Sequence, residues 1–221
     1  MLAVLLDFNG TMFFDTSLHK EAWSKIYREL HPDSPEAPDS SMFFGPRNDA
    51  ILQNIAPWLT AEERDFYSEK KEALYRQACL DHPDITHLVP GVEMLLEHLS
   101  TQRIPFGLAS ASIAANIDFF FEIFALGRWF RREDVVYDDG TYPDKGAMHL
   151  EAARRLGVTM EDCLVIEDSP SSIRHALSNG AGRIVAVGTT VSEEELLNMG
   201  VTHFIRDFTE FDYSWLHRSN G

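Results

Sequence analysis

From residue 90 onward the chain alternates between helical segments and short apolar runs, and no other feature narrows the fold as far. Helical periodicity over 91–100, 114–124, 146–156, 171–178 and 193–199 is followed each time by an apolar run: 104–109, 135–137, 163–167, 183–187 and 202–205. Short apolar strands interleaved with helices have one common solution, a parallel sheet with helices on its faces. A sixth apolar run, residues 1–6, opens the chain. The expected fold class is α/β, a doubly wound, Rossmann-like parallel sheet.

Residues 15–83 read differently. Asp15-Thr16-Ser17 offers helix caps, Leu18, Ala22, Trp23, Ile26 and Leu30 recur at helical spacing, and His31-Pro32 marks the stop. The Pro-, Ser- and Asp-rich stretch 32–41 reads as loop. Thr60-Ala61-Glu62-Glu63 is a capping box opening a helix that runs towards Leu80. With no strand signal between 15 and 83, two parts are expected: an α/β core of residues 1–14 and 84–221, and an all-helical cap domain, 15–83, inserted after the first strand. The end of the chain, 208–221, carries Phe211, Tyr213 and Trp215 and is expected to be a docking helix with a frayed end.

Bulk properties exclude several roles. The 221 residues are 44% hydrophobic and 24% charged, an ordinary balance for a folded domain, and the net charge of −16 argues against a nucleic-acid or membrane-surface partner. Two cysteines, Cys79 and Cys163, are too few for a disulfide framework and read as free buried thiols in a reducing compartment. No apolar run approaches a membrane span. The expectation is a cytoplasmic protein, a monomer or weak dimer.

Four segments put polar groups at strand ends or helix starts, where open α/β sheets bind ligands. Asp7 follows the first apolar run and is succeeded by the turn Phe8-Asn9-Gly10-Thr11. Ser110 stands in Leu108-Ala109-Ser110-Ala111-Ser112, where a hydroxyl and the following amides suit a phosphate oxygen. Lys145, just before a helix, offers an ammonium able to neutralise a phosphate and an aspartate together. Glu167-Asp168-Ser169 ends an apolar strand with paired carboxylates, which suit a hard cation such as Mg²⁺. Taken singly, each has a plain structural reading: Asn9-Gly10 is a common turn dipeptide, and Glu167-Asp168-Ser169 a helix cap.

In this order the four segments resemble the motifs of the haloacid dehalogenase-like superfamily, and most closely its subgroup with a helical cap that holds β-phosphoglucomutase-like proteins and small sugar-phosphate phosphatases. The resemblance implies that Asp7 is a nucleophile forming an aspartyl-phosphate. It implies that Ser110 and Lys145 bind the transferring phosphoryl group, with Gly10, Thr11, Ala111 and Ser112 around it. Mg²⁺ would be held by Asp7, the backbone carbonyl of Asn9 and Asp168, with Glu167 in or near its shell. In the cap, His19, the Arg47 of Gly45-Pro46-Arg47, and Lys71 fall where relatives contact the rest of a small phosphorylated metabolite. One position departs: Asn9 stands where the family's phosphatases and mutases carry a second aspartate, the general acid–base. Three readings follow: a phosphatase weakened at that step, with His19 as a substitute proton carrier; a β-phosphoglucomutase-like phosphomutase; and a catalytically silent protein that binds a phosphorylated ligand or plays a regulatory part.

Overall fold

The computed structural model describes residues 2–34, 40–43, 47–188 and 191–217. Along the chain run β1 (Ala3–Leu6), α1 (Thr16–Leu30), α2 (Asn48–Ile55), α3 (Ala61–Asp81), α4 (Val92–Thr101), β2 (Phe106–Ile113), α5 (Ala114–Ile123), β3 (Val136–Asp138), α6 (Lys145–Leu156), β4 (Cys163–Glu167), α7 (Pro170–Ser178), β5 (Arg183–Val187), α8 (Glu193–Asn198) and β6 (His203–Ile205). The strands form one six-stranded sheet in the order β3-β2-β1-β4-β5-β6, with every neighbouring pair parallel. This is the expected doubly wound α/β fold.

Strands covered by helices on both faces must be apolar throughout, and β1 and β4 are buried along their whole length. Their side chains join those of α6, α7 and α8 in one core, with Ala3, Leu5, Val165, Met148, Ala152, Ile173 and Leu196 among its members. The strand order reverses direction between β1 and β4, so their carboxyl ends border the crevice where such sheets take ligands.

By its contacts the chain separates into two compact units, Met1–Phe14 with His87–Gly221, and Asp15–Thr86. The second is helical and has its own core of Trp23, Ile26, Phe43, Ile51, Leu52 and Ile55. Its longest helix, α3, opens with the capping box read from the sequence. Thr60 Oγ1 accepts from the Glu63 N–H at 3.3 Å, and Glu63 Oε2 accepts from the Thr60 N–H at 2.8 Å.

Three local expectations change. β2 extends to Ile113 instead of stopping at Ala109, because it bulges and resumes pairing with β3. Lys145 is the first residue of α6, not the one before it, because Asp144 caps the helix by accepting from the Ala147 N–H at 2.9 Å. The aromatic tail is two 3₁₀ turns, Phe208–Glu210 and Tyr213–Leu216, not a docking helix. Asp207 and Asp212 each accept from an N–H two residues on (2.8 Å), a local bond that competes with helix propagation. The tail is nonetheless anchored: Trp215 stacks on His203 at 4.0 Å, and Arg183 donates to the carbonyls of Trp215 and His217. Both cysteines are free and buried, as expected. No helix among the described residues is long and apolar enough to cross a membrane.

Leu5 sits fully buried in the central strand, between the two strands that carry the carboxyl-edge residues. Leu5→Ala is expected to cost about 2–5 kcal/mol, the range for a buried leucine whose cavity collapses only in part, measured by urea unfolding.

Candidate active site

The Asp7 N–H donates to the Ile166 carbonyl at 3.1 Å, continuing the β1–β4 ladder by one step. That bond sets the first residue after β1 beside the last of β4, Glu167. The chain then folds over the Phe8 carbonyl, which accepts from the N–H groups of Thr11, Met12 and Phe13 at 3.2, 2.8 and 3.0 Å. Gly10 takes φ +76°, and a Cβ there would lie 2.3 Å from Asp168 Oδ2. Only glycine fits both the backbone and the space. Beneath the turn, the Phe8 ring stacks on Phe120 with centroids 4.4 Å apart.

Asp7 and Glu167 are buried and Asp168 half-buried, and each offers an oxygen within 4.8 Å of the others. Lys145 and His149, one turn apart on α6, reach this group from the same helix face. The Lys145 ammonium donates to Asp7 Oδ1 and, at 3.2 Å, to Glu167 Oε1. His149 Nε2 donates to the same Oε1, also at 3.2 Å. Thr11 Oγ1 stands 3.3 Å from Asp7 Oδ2 and 3.4 Å from Asp168 Oδ1, with one proton to give to either.

Charge explains how the group titrates. Burial pushes the Asp7 carboxyl up to about 7; Lys145 opposes the rise and Glu167 adds to it. Burial would also raise Glu167, but the Lys145 charge and the His149 hydrogen bond hold it below the usual carboxylate range. Lys145, though buried, is held above its ordinary value by the two carboxylates. With all three carboxylates ionised, one ammonium leaves them a formal charge of −2. Among the described residues Glu167 Oε2 is buried without a hydrogen-bond partner, an arrangement that costs free energy unless a donor or cation meets it. All-oxygen donors, a −2 balance and an unmet buried acceptor fit a Mg²⁺ ion.

Ser110 and Ser112 lie in the β2 bulge rather than at a helix start. Pairing with β3 shifts between Ser110 and Ile113, and α5 begins only at Ala114. The bulge turns both hydroxyls onto Asn9 Oδ1: Ser112 Oγ donates at 2.7 Å and Ser110 Oγ at 3.3 Å. The Ser112 N–H donates to Ser110 Oγ at 3.2 Å, while Ala111 is exposed. Of the core residues read from the sequence, Asp7, Thr11, Lys145, Glu167 and Asp168 thus share one group, with Gly10 packed against Asp168, and Asn9, Ser110 and Ser112 form a second, which the turn after β1 joins to the first.

His19 and Lys71 meet within the helical unit. The Lys71 ammonium, buried over the faces of Trp23 and Tyr75, contacts His19 Nδ1 at 2.9 Å and Glu72 Oε1 at 2.8 Å. An ammonium only donates, so Nδ1 is an acceptor and the imidazole proton sits on Nε2, 3.1 Å from Asp15 Oδ2. Both ring nitrogens are therefore engaged within the helical unit. Asp15 also accepts from Tyr75 at 2.6 Å, and Asn48 donates to Glu72 at 2.7 Å. Burial would raise Glu72, but the Lys71 charge and the hydrogen bonds from Lys71 and the Asn48 amide hold it at about 2. Arg47 is exposed at the N-cap position of α2, and Gly45 and Pro46 lie outside the described residues.

Sequence reading missed His149 in the core and Asp15, Asn48, Glu72 and Tyr75 in the helical unit. His149 had a usable signal: it stands four residues after Lys145, among the buried Met148, Ala152 and Ala153 of α6, where an apolar residue belongs.

With this geometry in view, comparisons with known proteins agree on one group. The profile of haloacid dehalogenase-like hydrolases matches residues 1–178. A β-phosphoglucomutase of Bacillus subtilis (strain 168) is 27% identical over 98% of this chain and 94% of its own length. A Drosophila melanogaster protein named "Probable pseudouridine-5'-phosphatase" is 32% identical over 49% of each chain. The crystal structure of a HAD hydrolase, family IA, variant 3, from Entamoeba histolytica HM-1:IMSS superimposes with a TM-score of 0.89 at 32% identity, covering 98% of this chain and 97% of that one.

Two substitutions test the geometry. Gly10→Ala forces a side chain into a left-handed backbone and against Asp168, and is expected to cost about 1–2 kcal/mol from the backbone alone in urea unfolding, with weakened Mg²⁺ binding by calorimetry. Glu72→Gln strands the Lys71 charge and is expected to destabilise by about 3–5 kcal/mol at pH 7. The wild-type increment is present above Glu72's ordinary value of 4.5 and disappears as pH falls towards about 2. The variant's stability should therefore lack that acid limb.

Proposed function

The chain belongs to the haloacid dehalogenase-like hydrolase family, and from that premise we propose that it is a Mg²⁺-dependent phosphatase acting on a small phosphorylated metabolite, a sugar phosphate above all. The observation that carries this reading is the Asp7 carboxylate at the tip of β1, tied to Lys145 and flanked by Glu167 and Asp168. Asp7, Asp168 and Glu167 would hold the Mg²⁺, whose charge would offset that of the phosphoryl oxygens.

In the proposed reaction an Asp7 oxygen attacks phosphorus, the bond from phosphorus to the substrate oxygen breaks, and an aspartyl-phosphate forms. Lys145 favours the ionised form of Asp7 against the effect of burial and orients it, and its charge also favours the incoming anion. Water then attacks phosphorus, the Asp7–phosphorus bond breaks, and inorganic phosphate leaves with Asp7 restored. The departing substrate oxygen needs a proton, and the attacking water must lose one. Asn9 can neither supply the first proton nor accept the second, so both are exchanged with solvent water. It can only donate a hydrogen bond from its amide, while its Oδ1 is held by Ser112 and Ser110. General acid–base catalysis contributes typically ~10²–10⁴-fold, or about 3–5.5 kcal/mol of barrier. Acyl phosphates, whose leaving groups need no proton, should react best, and sugar phosphates slowly.

A phosphatase is favoured over a phosphomutase by the pairing of Lys71 with Glu72. A cation already compensated by a neighbouring carboxylate, as Lys71 is, makes a poor holder for the second phosphoryl group that a mutase must keep. Asn9 itself favours the second reading, a protein that binds a phosphorylated ligand with little or no turnover.

Phosphate release from a panel of sugar phosphates and acetyl phosphate, with Mg²⁺ and with EDTA, separates the readings. The parent is expected to release phosphate from acetyl phosphate in a Mg²⁺-dependent way, and Asn9→Asp to gain ~10²-fold or more on sugar phosphates. No release by either protein from any compound would overturn the phosphatase reading. Release confined to Asn9→Asp would favour the binding protein.

A further inference from the structure

His149 has no part in the chemistry above, yet it is 1% exposed and its only polar contact among the described residues is Glu167. We propose that His149 is a positioning residue that fixes which oxygen of Glu167 is left for a divalent cation. The inference rests on the Mg²⁺ reading and deepens it.

The argument is one of counting donors. A carboxylate on a flexible side chain can turn either oxygen outward. Glu167 Oε1 receives two donors from a single face of α6, the Lys145 ammonium and the His149 Nε2–H, both at 3.2 Å. Oε2 receives none and is buried. Rotating the carboxylate would break both bonds, so the pair of donors locks its orientation. Lys145 alone would be a weak lock, because its ammonium is shared with Asp7 and is itself drawn towards an incoming phosphoryl anion. His149 has no such second duty. Its other nitrogen, Nδ1, is buried without a partner, which an unprotonated nitrogen tolerates better than an N–H would. The ring therefore carries its one proton towards Glu167. Residues that hold a ligand from behind in this way commonly matter 10–100-fold (about) to metal affinity.

Packing alone and positioning make opposite predictions for two variants. His149→Phe keeps an apolar-compatible ring and removes the donor, whereas His149→Gln keeps an N–H donor and changes the packing. Mg²⁺ titration by isothermal calorimetry is expected to show a Kd raised ~10–100-fold in His149→Phe and restored to within a few-fold of wild type in His149→Gln. Wild-type affinity in a folded His149→Phe, or weaker binding in His149→Gln than in His149→Phe, would overturn the inference while leaving the phosphatase reading intact. A wild-type chain that takes up no Mg²⁺ would overturn both. Should His149→Phe fail to fold by circular dichroism, ¹⁵N spectra of the wild-type imidazoles decide: saturating Mg²⁺ should shift the His149 Nε2–H signal, and an unmoved signal would overturn the proposal.

Discussion

One ammonium makes the carboxyl edge of this sheet tenable. The register of β1 against β4 brings Asp7 and Glu167 together whether or not their charges agree. At an effective dielectric of 20, two like charges 4 Å apart repel by about 4 kcal/mol, and Asp168 adds a third. Lys145 answers that repulsion from an unpromising position. A cation at the first residue of a helix opposes the helix dipole, and Asp144 must cap the helix for α6 to begin there. The cap, the helix start, the ammonium and the paired carboxylates are thus links of one chain, and each is explicable only by the next.

Asn9 differs from aspartate by a single terminal group and one unit of charge. Its side-chain oxygen accepts from two serine hydroxyls, a bonding set that an aspartate oxygen would accept equally well. The bulge in β2 that aims those hydroxyls is therefore compatible with either residue.

How much of this was legible in the sequence varies with the range of the interaction responsible. The apolar runs announce the parallel sheet, since burial on both faces leaves no polar alternation to confuse them, and the Thr60–Glu63 box is local enough to read directly. Asp7, Lys145 and Glu167 could be named because strand ends converge in such sheets. What escaped reading depends on geometry finer than periodicity. The bulge after Ser110 cannot be told from a strand end, the Asp207 and Asp212 turns outcompete an aromatic-rich helix, and His149 shows its partner only once α6 packs on β1 and β2, beside the end of β4. The network of Lys71, His19, Asp15 and Glu72 likewise requires α1 and α3 to be packed before any of its bonds exist.

The strand order has a consequence for how the protein comes into being. β1 is central, yet one of its two partners, β4, is encoded about 160 residues later (Leu6 pairs with Ile166). On a ribosome adding ~5–20 residues per second, roughly ten to thirty seconds separate their emergence. For that interval the wholly apolar first strand has an open edge and Asp7 lacks its fellow carboxylates. The site is complete only when β4 docks beside a strand made long before it, and any delay in that step prolongs the exposure of an edge well suited to pairing with a neighbouring chain.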